Sequence, residues 1–469
     1  MKKAELVFFP APGIGHLVPT CQFAKKLLNL DEELCITMII IRPQAPFDAS
    51  INAYIQSFSS STAGDRRIKF ITLAQVEPPP FEEFTKSMEN FFSLMISSYK
   101  PLVKDAIINN KDSNTRIVGL VIDMFCSSMV DVAKELEIPP YIFFTSGAGF
   151  LGFVLYLSVW HSQNGREFNL TDSVLDIPAY ANLVPSNVLP SFALNKEGYI
   201  AFRNFGVRFK ETRGILINTF AELEPHALNS VTSDPELPPV YTVGPNLDLE
   251  GQKGKEENNK EEIMKWLEDQ PPSSVLFLCF GSMGVLGIPQ LQELAIALER
   301  SGVRFLWSIN VSSIGSEYSS NFDELLPEGF LSRTKDRGMV CGWSPQVHVL
   351  AHKATAGFVS HCGWNSIMES LWHGVPLVTW PLYGEQQINA FQMVKDLELA
   401  VELRLDYRTG NTSGGIVTAE EIENVIKCIM DSENPVRKKV KQMEEKSREV
   451  LMEGGSSFDS SRCFIKDLS

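Results

Sequence analysis

Residues 356–386 read AGFVSHCGWNSIMESLWHGVPLVTWPLYGEQ. An apolar run at 356–361 enters a glycine-containing turn, a segment with helical spacing follows, and a second apolar run lies at 376–380. Two short buried strands joined by a helix are the unit from which parallel sheets with crossover helices are built. This stretch therefore predicts an α/β fold.

The same alternation of strand-like and helix-like segments continues outward through both halves of the chain. The strand candidates are nearly continuous apolar runs, which indicates sheets covered by helices on both faces. We expect two doubly wound, Rossmann-like domains that face each other across a cleft, where the ligands of such sheets bind. The predicted strands are 6–9, 35–41, 68–73, 118–123, 141–145, 214–218 and 240–243 in the first half, and 275–280, 304–308, 338–341, 356–360 and 376–380 in the second.

A charged segment separates the two halves. Residues 247–262 read LDLEGQKGKEENNKEE and contain almost no apolar side chain, so they predict an exposed linker. The N-terminal domain is then 1–246 and the C-terminal domain 263–450. We expect the final segment, 451–469, to pack back on the N-terminal domain.

Charge and cysteine usage restrict the partners and the compartment. The formal net charge of -15 argues against nucleic acid or an anionic membrane as a partner, because both need a basic field. The eight cysteines are spread singly, as expected of reduced thiols in the cytosol. No apolar stretch approaches the roughly 20 residues of a membrane-spanning helix. We therefore expect a soluble, cytoplasmic protein.

The turn at the start of the 356–386 stretch has the features of a diphosphate site. A helix that starts directly after a buried strand offers backbone N–H groups and the positive end of its dipole. His361, Asn365 and Ser366 add side-chain donors there, and Ser282 follows another strand of the same half. Ser366 and Glu369 also match the S-x-x-E capping box, which would explain both as helix-start residues.

A candidate general base follows the first strand. His16 lies at the start of a helical segment, where the positive dipole end disfavours the imidazolium and keeps a neutral base near physiological pH. Asp123 ends the strand at 118–123 and can orient an imidazole, as the third group of a catalytic triad does. The alternatives are that His16 only occupies a turn and that Asp123 only caps the next helix.

Residues 343–386, which begin WSPQ and end GEQ, resemble the 44-residue signature of plant secondary-product UDP-glycosyltransferases, and the rest of the chain resembles this family from end to end. The most similar branch acts on phenolics, flavonoids and terpenoid alcohols. The resemblance implies a GT-B fold, with an acceptor-binding N-terminal domain and a C-terminal domain that binds the UDP-sugar. It also implies UDP-glucose as co-substrate and a small lipophilic acceptor. We expect a monomer.

The resemblance assigns roles to individual residues. Trp343 stacks on uracil, and Glu369 accepts hydrogen bonds from the ribose hydroxyls. Glu385 and Gln386 hold the sugar, and the final Gln is the family's marker for glucose. Gly384 leaves room at the donor end of the acceptor pocket. The full predicted set of UDP-sugar-binding residues is Thr145, Ser282, Trp343, Ser344, Gln346, His361, Gly363, Trp364, Asn365, Ser366, Glu369, Glu385 and Gln386.

The resemblance also implies the mechanism. His16 and Asp123 match the family's catalytic dyad, in which His16 deprotonates a hydroxyl or carboxyl of the acceptor and the product is a β-glucoside. Thr145 matches a position near the 6-hydroxyl of the sugar. No D-x-D triplet occurs in the chain, so we expect neither a metal ion nor another cofactor.

Other classes of function fit the sequence less well. The chain lacks the G-x-G-x-x-G motif that a nicotinamide-dependent oxidoreductase has after its first strand. A glycosidase would have no use for the predicted diphosphate turn. His348 and His352 have the spacing of a zinc helix but lack the Glu of the H-E-x-x-H motif. Trp343 and Trp364 could be core aromatics. A catalytically silent sugar-nucleotide-binding protein and a transferase for another UDP-sugar remain as alternatives.

Overall fold

A computed structural model describes residues 2–42, 48–62, 64–172, 174–251, 257–310, 322–409 and 415–468. The chain divides into two compact units. The first comprises Met1–Ser186, Ser191–Asp248 and Glu449–Ser469, and the second comprises Asn187–Pro190 and Leu249–Arg448. Residues 252–256 of the predicted linker lie outside the described residues, and a helix begins at Glu257, inside the range predicted as linker.

The first unit contains a seven-stranded, fully parallel sheet. Its strands follow one another in space in the order β3-β2-β1-β4-β5-β6-β7. Their bounds are β1 Lys3–Phe9, β2 Cys35–Ile40, β3 Ile68–Thr72, β4 Thr115–Asp123, β5 Pro140–Phe144, β6 Gly214–Ile217 and β7 Val240–Thr242.

The second unit contains a six-stranded parallel sheet in the order β10-β9-β8-β11-β12-β13. Its strands are β8 Val275–Cys279, β9 Arg304–Ser308, β10 Gly338–Cys341, β11 Thr355–Ser360, β12 Leu377–Thr379 and β13 Ala400–Glu402. All twelve predicted strands occur, with small differences at their ends. The sequence patterns did not predict β13, because its three residues, Ala-Val-Glu, do not form an apolar run.

Helices connect the strands in both units. Their bounds are α1 Ile14–Leu30, α2 Asp48–Ser61, α3 Phe81–Lys86, α4 Met88–Ser97, α5 Lys100–Asn109, α6 Val130–Glu135, α7 Ala148–Asn164, α8 Lys196–Phe209, α9 Pro225–Thr232, α10 Glu257–Glu268, α11 Ile288–Ser301, α12 Phe322–Leu325, α13 Phe330–Thr334, α14 Gln346–Ala351, α15 Trp364–Trp372, α16 Gln386–Phe391, α17 Ala419–Met430, α18 Pro435–Glu449 and α19 Ser456–Asp467. A 3₁₀ segment, Met124–Met129, directly follows β4.

The core of the first unit forms where α1 lies against the sheet. Phe23 of α1 is fully buried, and its ring stacks on Phe143 of β5 at a centroid distance of 5.3 Å. The last helix, α19, completes this core, because the buried Phe464 lies 5.1 Å from Tyr141 and 5.7 Å from Tyr241, between ring centroids. The Tyr241 hydroxyl donates a hydrogen bond to Asp467 of the same helix. The final segment is thus part of the first unit.

Each sheet reverses its strand order at one point. In the first unit β1 leads outward to β2 and β3, whereas β4 leads to β5, β6 and β7 on the other side. In the second unit the reversal lies between β8 and β11. Such switch points leave a crevice at the carboxyl ends of the two strands, where ligands of open α/β sheets bind. The loops that follow β1, β4, β8 and β11 are therefore the places to look for a site.

Candidate active site

His16 and Asp123 meet at the switch point of the first unit. Asp123 is the last residue of β4, and His16 is the third residue of α1, which follows β1. The pairing of β1 with β4 brings the two together although they are 107 positions apart, and His16 Nδ1 lies 2.8 Å from Asp123 Oδ2. The carboxylate of Asp123 is fully buried, whereas the imidazole of His16 is partly exposed. This is the geometry of a base and its orienting carboxylate.

Asp123 makes both of the contacts considered for it. Its Oδ1 accepts a hydrogen bond of 2.9 Å from the Phe125 backbone N–H and so caps the 3₁₀ segment, while Oδ2 faces His16. The cap holds the carboxylate in one orientation. The helix-cap alternative is therefore correct but does not compete with the dyad, because a carboxylate has two oxygens.

One aromatic ring contacts the imidazole, and two further rings pack against that aromatic ring. The Phe125 ring lies 4.9 Å from the His16 ring, and Phe202 and Phe205 of α8 lie 5.7 and 5.9 Å from Phe125, between centroids. Sequence reasoning did not single out Phe125. The sequence feature that could have identified it is its position two residues after Asp123, the aspartate that ends β4. The imidazole of His16 therefore lies against one aromatic ring, which the buried Phe202 and Phe205 support.

His361 lies at the switch point of the second unit, directly after β11. Two glycines hold its ring: a Cβ built on Gly363 would lie 2.6 Å from His361 Nε2, and a Cβ built on Gly281 would lie 2.7 Å from the same atom. Gly281 lies in the loop after β8, beside Ser282. The loops after β8 and β11 therefore meet on His361, and this contact explains why both positions are glycine.

The burial of His361 decides its charge. Loss of solvent lowers the pKa of its imidazole to about 4, so the ring is neutral at physiological pH. Its Nδ1 is buried and has no hydrogen-bond partner within the described residues. A neutral imidazole still carries one N–H that can donate to an anion.

The turn between His361 and α15 has an unusual backbone. Cys362 adopts a φ of +63°, a left-handed conformation that a residue with a side chain rarely takes. The buried amide of Asn389 donates a hydrogen bond of 3.1 Å to the Cys362 carbonyl and stabilises this turn. The turn leads into Gly363, the N-cap of α15, so the helix begins with backbone N–H groups beside His361.

Ser366 and Glu369 do not form the capping box that their spacing suggested. Gly363 is the N-cap of α15, and among the described residues no N-cap side chain bonds to this helix end. Instead, the carboxamide nitrogen of Gln346 donates to Ser366 Oγ at 2.9 Å and to Glu369 Oε2 at 2.7 Å. Three of the predicted site residues are thus in direct contact across the start of α14 and the first turns of α15.

The remaining predicted residues of the second unit lie in the loops after β8, β10 and β12 or at helix starts. Trp343 is half-buried, whereas the indole of Trp364 is buried, as a core aromatic is. Ser344 is buried, and Asn365 is the second residue of α15. Glu385 is the N-cap of α16.

Gln386 and Gly384 are constrained in different ways. The carboxamide oxygen of Gln386 accepts from the backbone N–H groups of Leu382 and Tyr383, at 2.8 and 3.0 Å. Its nitrogen is then the atom that can donate to a ligand. Gly384 has a φ of +64°, and no atom of the described residues lies within 4 Å of a Cβ built on it, so the space beside it is open.

The two histidines with zinc-helix spacing have separate partners. Lys260 Nζ lies 2.9 Å from His348 Nε2, and Glu268 lies 3.2 Å from His352 Nε2. In the part of the chain that the structure describes, no group of three or more His, Cys, Asp or Glu side chains could hold a metal ion.

The predicted site residues thus form two groups. His16, Asp123 and Thr145 lie in the first unit, and the remaining predicted residues of the UDP-sugar site lie in the second. The Thr145 hydroxyl is 3.1 Å from His16 Nδ1. None of the helices in the described part of the chain has both the length and the apolar character needed to cross a membrane.

Comparisons with known proteins identify the family of the chain. The family model described as UDP-glucoronosyl and UDP-glucosyl transferase matches residues 234–439. UDP-glycosyltransferase 71K1 of Malus domestica and UDP-glucose flavonoid 3-O-glucosyltransferase 6 of Fragaria ananassa are each 47% identical over 100% of this chain and 99% of their own length. The crystal structure of Medicago truncatula UGT71G1 complexed with UDP-glucose matches with a TM-score of 0.91 at 45% identity, covering 99% of this chain and 98% of that one.

The two Rossmann-like domains and the likeness to solved structures define a glycosyltransferase of the GT-B class. The relatives match the whole chain and not only the signature. The chain belongs to the plant UDP-glycosyltransferases of family 1. The resemblance found in residues 343–386 and the predicted fold class are thereby confirmed.

Proposed function

We propose that this UDP-glycosyltransferase moves glucose from UDP-glucose to a hydroxyl group of a flavonoid-type phenolic, with inversion at the anomeric carbon. The observation that carries this proposal is the contact of 2.8 Å between His16 Nδ1 and the buried Asp123 carboxylate. The name of the Fragaria relative supports a flavonoid acceptor, and the Phe125 ring beside His16 suits a flat phenolic ring. The UDP-glucose complex of the Medicago relative supports UDP-glucose as donor.

His16 is the general base in this proposal. Asp123 accepts the proton of Nδ1 in a hydrogen bond and thereby selects the tautomer in which Nε2 carries the lone pair. Nε2 removes the proton of the acceptor hydroxyl, and the oxygen forms a bond to the anomeric carbon from the face opposite to the leaving group. The bond from that carbon to the phosphate oxygen breaks, and UDP leaves with the electron pair. The α-linked donor gives a β-glucoside.

The leaving diphosphate is stabilised without a metal ion. Its proposed partners are the N–H groups at the start of α15 and the N–H of the neutral His361. As negative charge develops on the leaving UDP, the hydrogen bond that the N–H of the neutral His361 donates to it becomes stronger. Glucose is proposed to be held by Glu385 and by the carboxamide nitrogen of Gln386.

The compartment is proposed to be the cytosol. All eight cysteines lie in the described residues and carry thiols rather than disulfides, as in proteins of reducing compartments. Burial raises the pKa of the Cys362 thiol to about 12, so this thiol next to His361 stays protonated and takes no part in the reaction.

Replacement of His16 by alanine tests the base. Transfer from UDP-glucose, UDP-galactose and UDP-glucuronate to flavonols, simple phenols, benzoic acids and triterpenoid alcohols is followed by mass spectrometry. The native enzyme should transfer hexose from UDP-glucose, and His16→Ala should lose about 10²- to 10⁴-fold in rate. His226→Ala is the matched control, because His226 is an exposed histidine of the same unit.

The affinity for UDP-glucose distinguishes a general base at His16 from a donor-binding residue. Calorimetry with UDP-glucose should give the same affinity for His16→Ala as for the native enzyme. A full rate in the variant would refute the base, and an equal loss of donor affinity would make His16 a donor-binding residue. A native protein that binds UDP-glucose but transfers nothing to any acceptor would be a sugar-nucleotide-binding protein.

A further inference from the structure

The loop between β5 and α7 passes directly beside His16. It consists of Thr145, Ser146 and Gly147, and it is buried although it connects a strand to a helix. Gly147 is the N-cap of α7 and has no side chain to bond the N–H groups of the first turn. Such buried groups need a partner from elsewhere in the chain.

Glu224 supplies that partner. Its Oε2 accepts from the Ala148 N–H and its Oε1 accepts from the Gly149 N–H, both at 2.9 Å. The residue is 1% exposed, so its carboxylate is held by the α7 N-terminus rather than by water. A carboxylate that accepts two backbone N–H groups at the positive end of a helix is a strong anchor. Glu224 is also the N-cap of α9, so it joins the starts of two helices.

Thr145, three residues before Ala148, reaches the catalytic pair. Its hydroxyl lies 3.1 Å from His16 Nδ1, the nitrogen that also faces Asp123. The hydroxyl lies 3.8 Å from the Met124 sulfur and can donate to it, so the oxygen lone pair is directed at the imidazole. The Nδ1 proton of His16 is then shared between Asp123 Oδ2 and Thr145 Oγ1.

We propose that Thr145 and Glu224 are positioning residues for His16: Thr145 is a second acceptor for its Nδ1 proton, and Glu224 holds Thr145 in place through the α7 N-terminus. This inference rests on the proposed role of His16 as the base. It gives Thr145 a task at the catalytic pair, whereas the family resemblance gives it a contact with the sugar.

Replacement of the Thr145 hydroxyl separates these two tasks. Thr145→Val keeps the shape of the side chain and removes its acceptor oxygen, and Thr145→Ser keeps the oxygen. A lost positioning bond should lower kcat by about tenfold and leave the KM for UDP-glucose unchanged. Thr145→Ser should restore most of the rate. A raised KM for UDP-glucose with an unchanged kcat would overturn the proposal and assign Thr145 to the sugar.

The pH profile gives a second readout. Thr145 Oγ1 accepts more strongly from the Nδ1 proton when the imidazole is charged, so its loss disfavours the imidazolium. The acidic limb of the profile of kcat/KM against pH should therefore move to lower pH in Thr145→Val. An unchanged profile would contradict a bond to His16.

Glu224→Gln tests the anchor. The amide keeps one acceptor oxygen but directs a donor at the other backbone N–H, so the α7 N-terminus must shift. We expect kcat to fall by about tenfold, because a small displacement of a catalytic group is costly, with the same direction of change in the pH profile. Glu222→Gln is the matched control, since Glu222 is exposed and lies two residues earlier in the chain. A folded Glu224→Gln enzyme with an unchanged kcat would refute the anchor.

NMR of the His16 imidazole nitrogens tests the positioning bonds without any reaction. Thr145→Val and Glu224→Gln should both change the Nδ1 resonance of His16, and Glu222→Gln should not. If His16→Ala retains activity while these shifts occur, the general-base proposal fails and the positioning bonds stand. If the Nδ1 resonance is the same in all three variants, the positioning proposal fails, whatever the role of His16.

Discussion

The substitution Gly363→Ala tests the packing of His361 at the proposed diphosphate site. The added Cβ would lie 2.6 Å from His361 Nε2, about 1 Å closer than atoms in van der Waals contact. The backbone of Gly363, with φ −63° and ψ 140°, accepts alanine, so the effect comes from the contact and not from strain. The imidazole has little room to retreat, because the Gly281 backbone lies beside the same nitrogen, and a Cβ built there would be 2.7 Å from it.

The cost of such overpacking is about 1–3 kcal/mol. If the ring moves away from the diphosphate, the same energy appears as a loss of UDP affinity of about 5- to 140-fold, since 1.4 kcal/mol is a factor of about ten. Isothermal titration calorimetry with UDP measures this loss directly. We expect circular dichroism to show that the variant is folded.

Gly64→Ala is the control for the alanine itself, because a Cβ at Gly64 meets no atom of the described residues within 4 Å. It should leave UDP affinity unchanged. A folded Gly363→Ala protein with native UDP affinity would refute the reasoning, since the position of His361 would then not matter for the diphosphate. A Gly363→Ala protein that is less stable, but whose folded molecules bind UDP with native affinity, would refute the reasoning equally.

Three further predictions concern stability and metal dependence. Burial lowers the pKa of His361 from its usual 6.5 to about 4, so between these pH values the folded state binds fewer protons than the unfolded state. The free energy of unfolding should therefore fall as pH drops through this window, by about 3 kcal/mol at most. Urea titrations at a series of pH values should show a smaller loss for His361→Asn. Phe464→Ala removes a buried ring from the core of the first unit and should lower the free energy of unfolding by about 3–5 kcal/mol in a urea titration. Phe81→Ala is the control, because the Phe81 ring is 74% exposed, and it should change the same free energy by less than about 0.5 kcal/mol. Addition of a chelator should leave the transfer rate unchanged, and a large loss would show that the diphosphate site needs a metal ion.

Much of the fold is readable from local patterns. Buried parallel strands are short apolar runs, and all twelve predicted strands are present because this pattern needs only a few consecutive residues. The proposed diphosphate turn is also local: β11, His361, the N-cap Gly363 and the start of α15 follow one another in the chain. A strand that turns directly into a helix places N–H groups there wherever the rest of the chain lies.

Other features depend on contacts between distant segments. Ser366 and Glu369 match a capping box in the sequence, yet the helix begins at Trp364 and their side chains contact Gln346, some twenty residues earlier. The contact of Glu224 with the α7 N-terminus joins positions 75 and 76 residues apart. Neither contact is visible as a pattern of neighbouring residues in the sequence, since each forms only when the helices pack.

The sequence by itself determined the fold class and the family, and it predicted the proposed diphosphate turn, because each is written in consecutive residues. It named His16 and Asp123 separately and joined them only through the family resemblance. Their contact exists because β1 pairs with β4 at the point where the strand order reverses. The tertiary structure alone decided that Thr145 and Phe125 also lie against His16, and that two glycines enclose His361. The physical reason is that backbone preferences act over a few residues, whereas contacts between side chains on different strands depend on the order of the whole sheet.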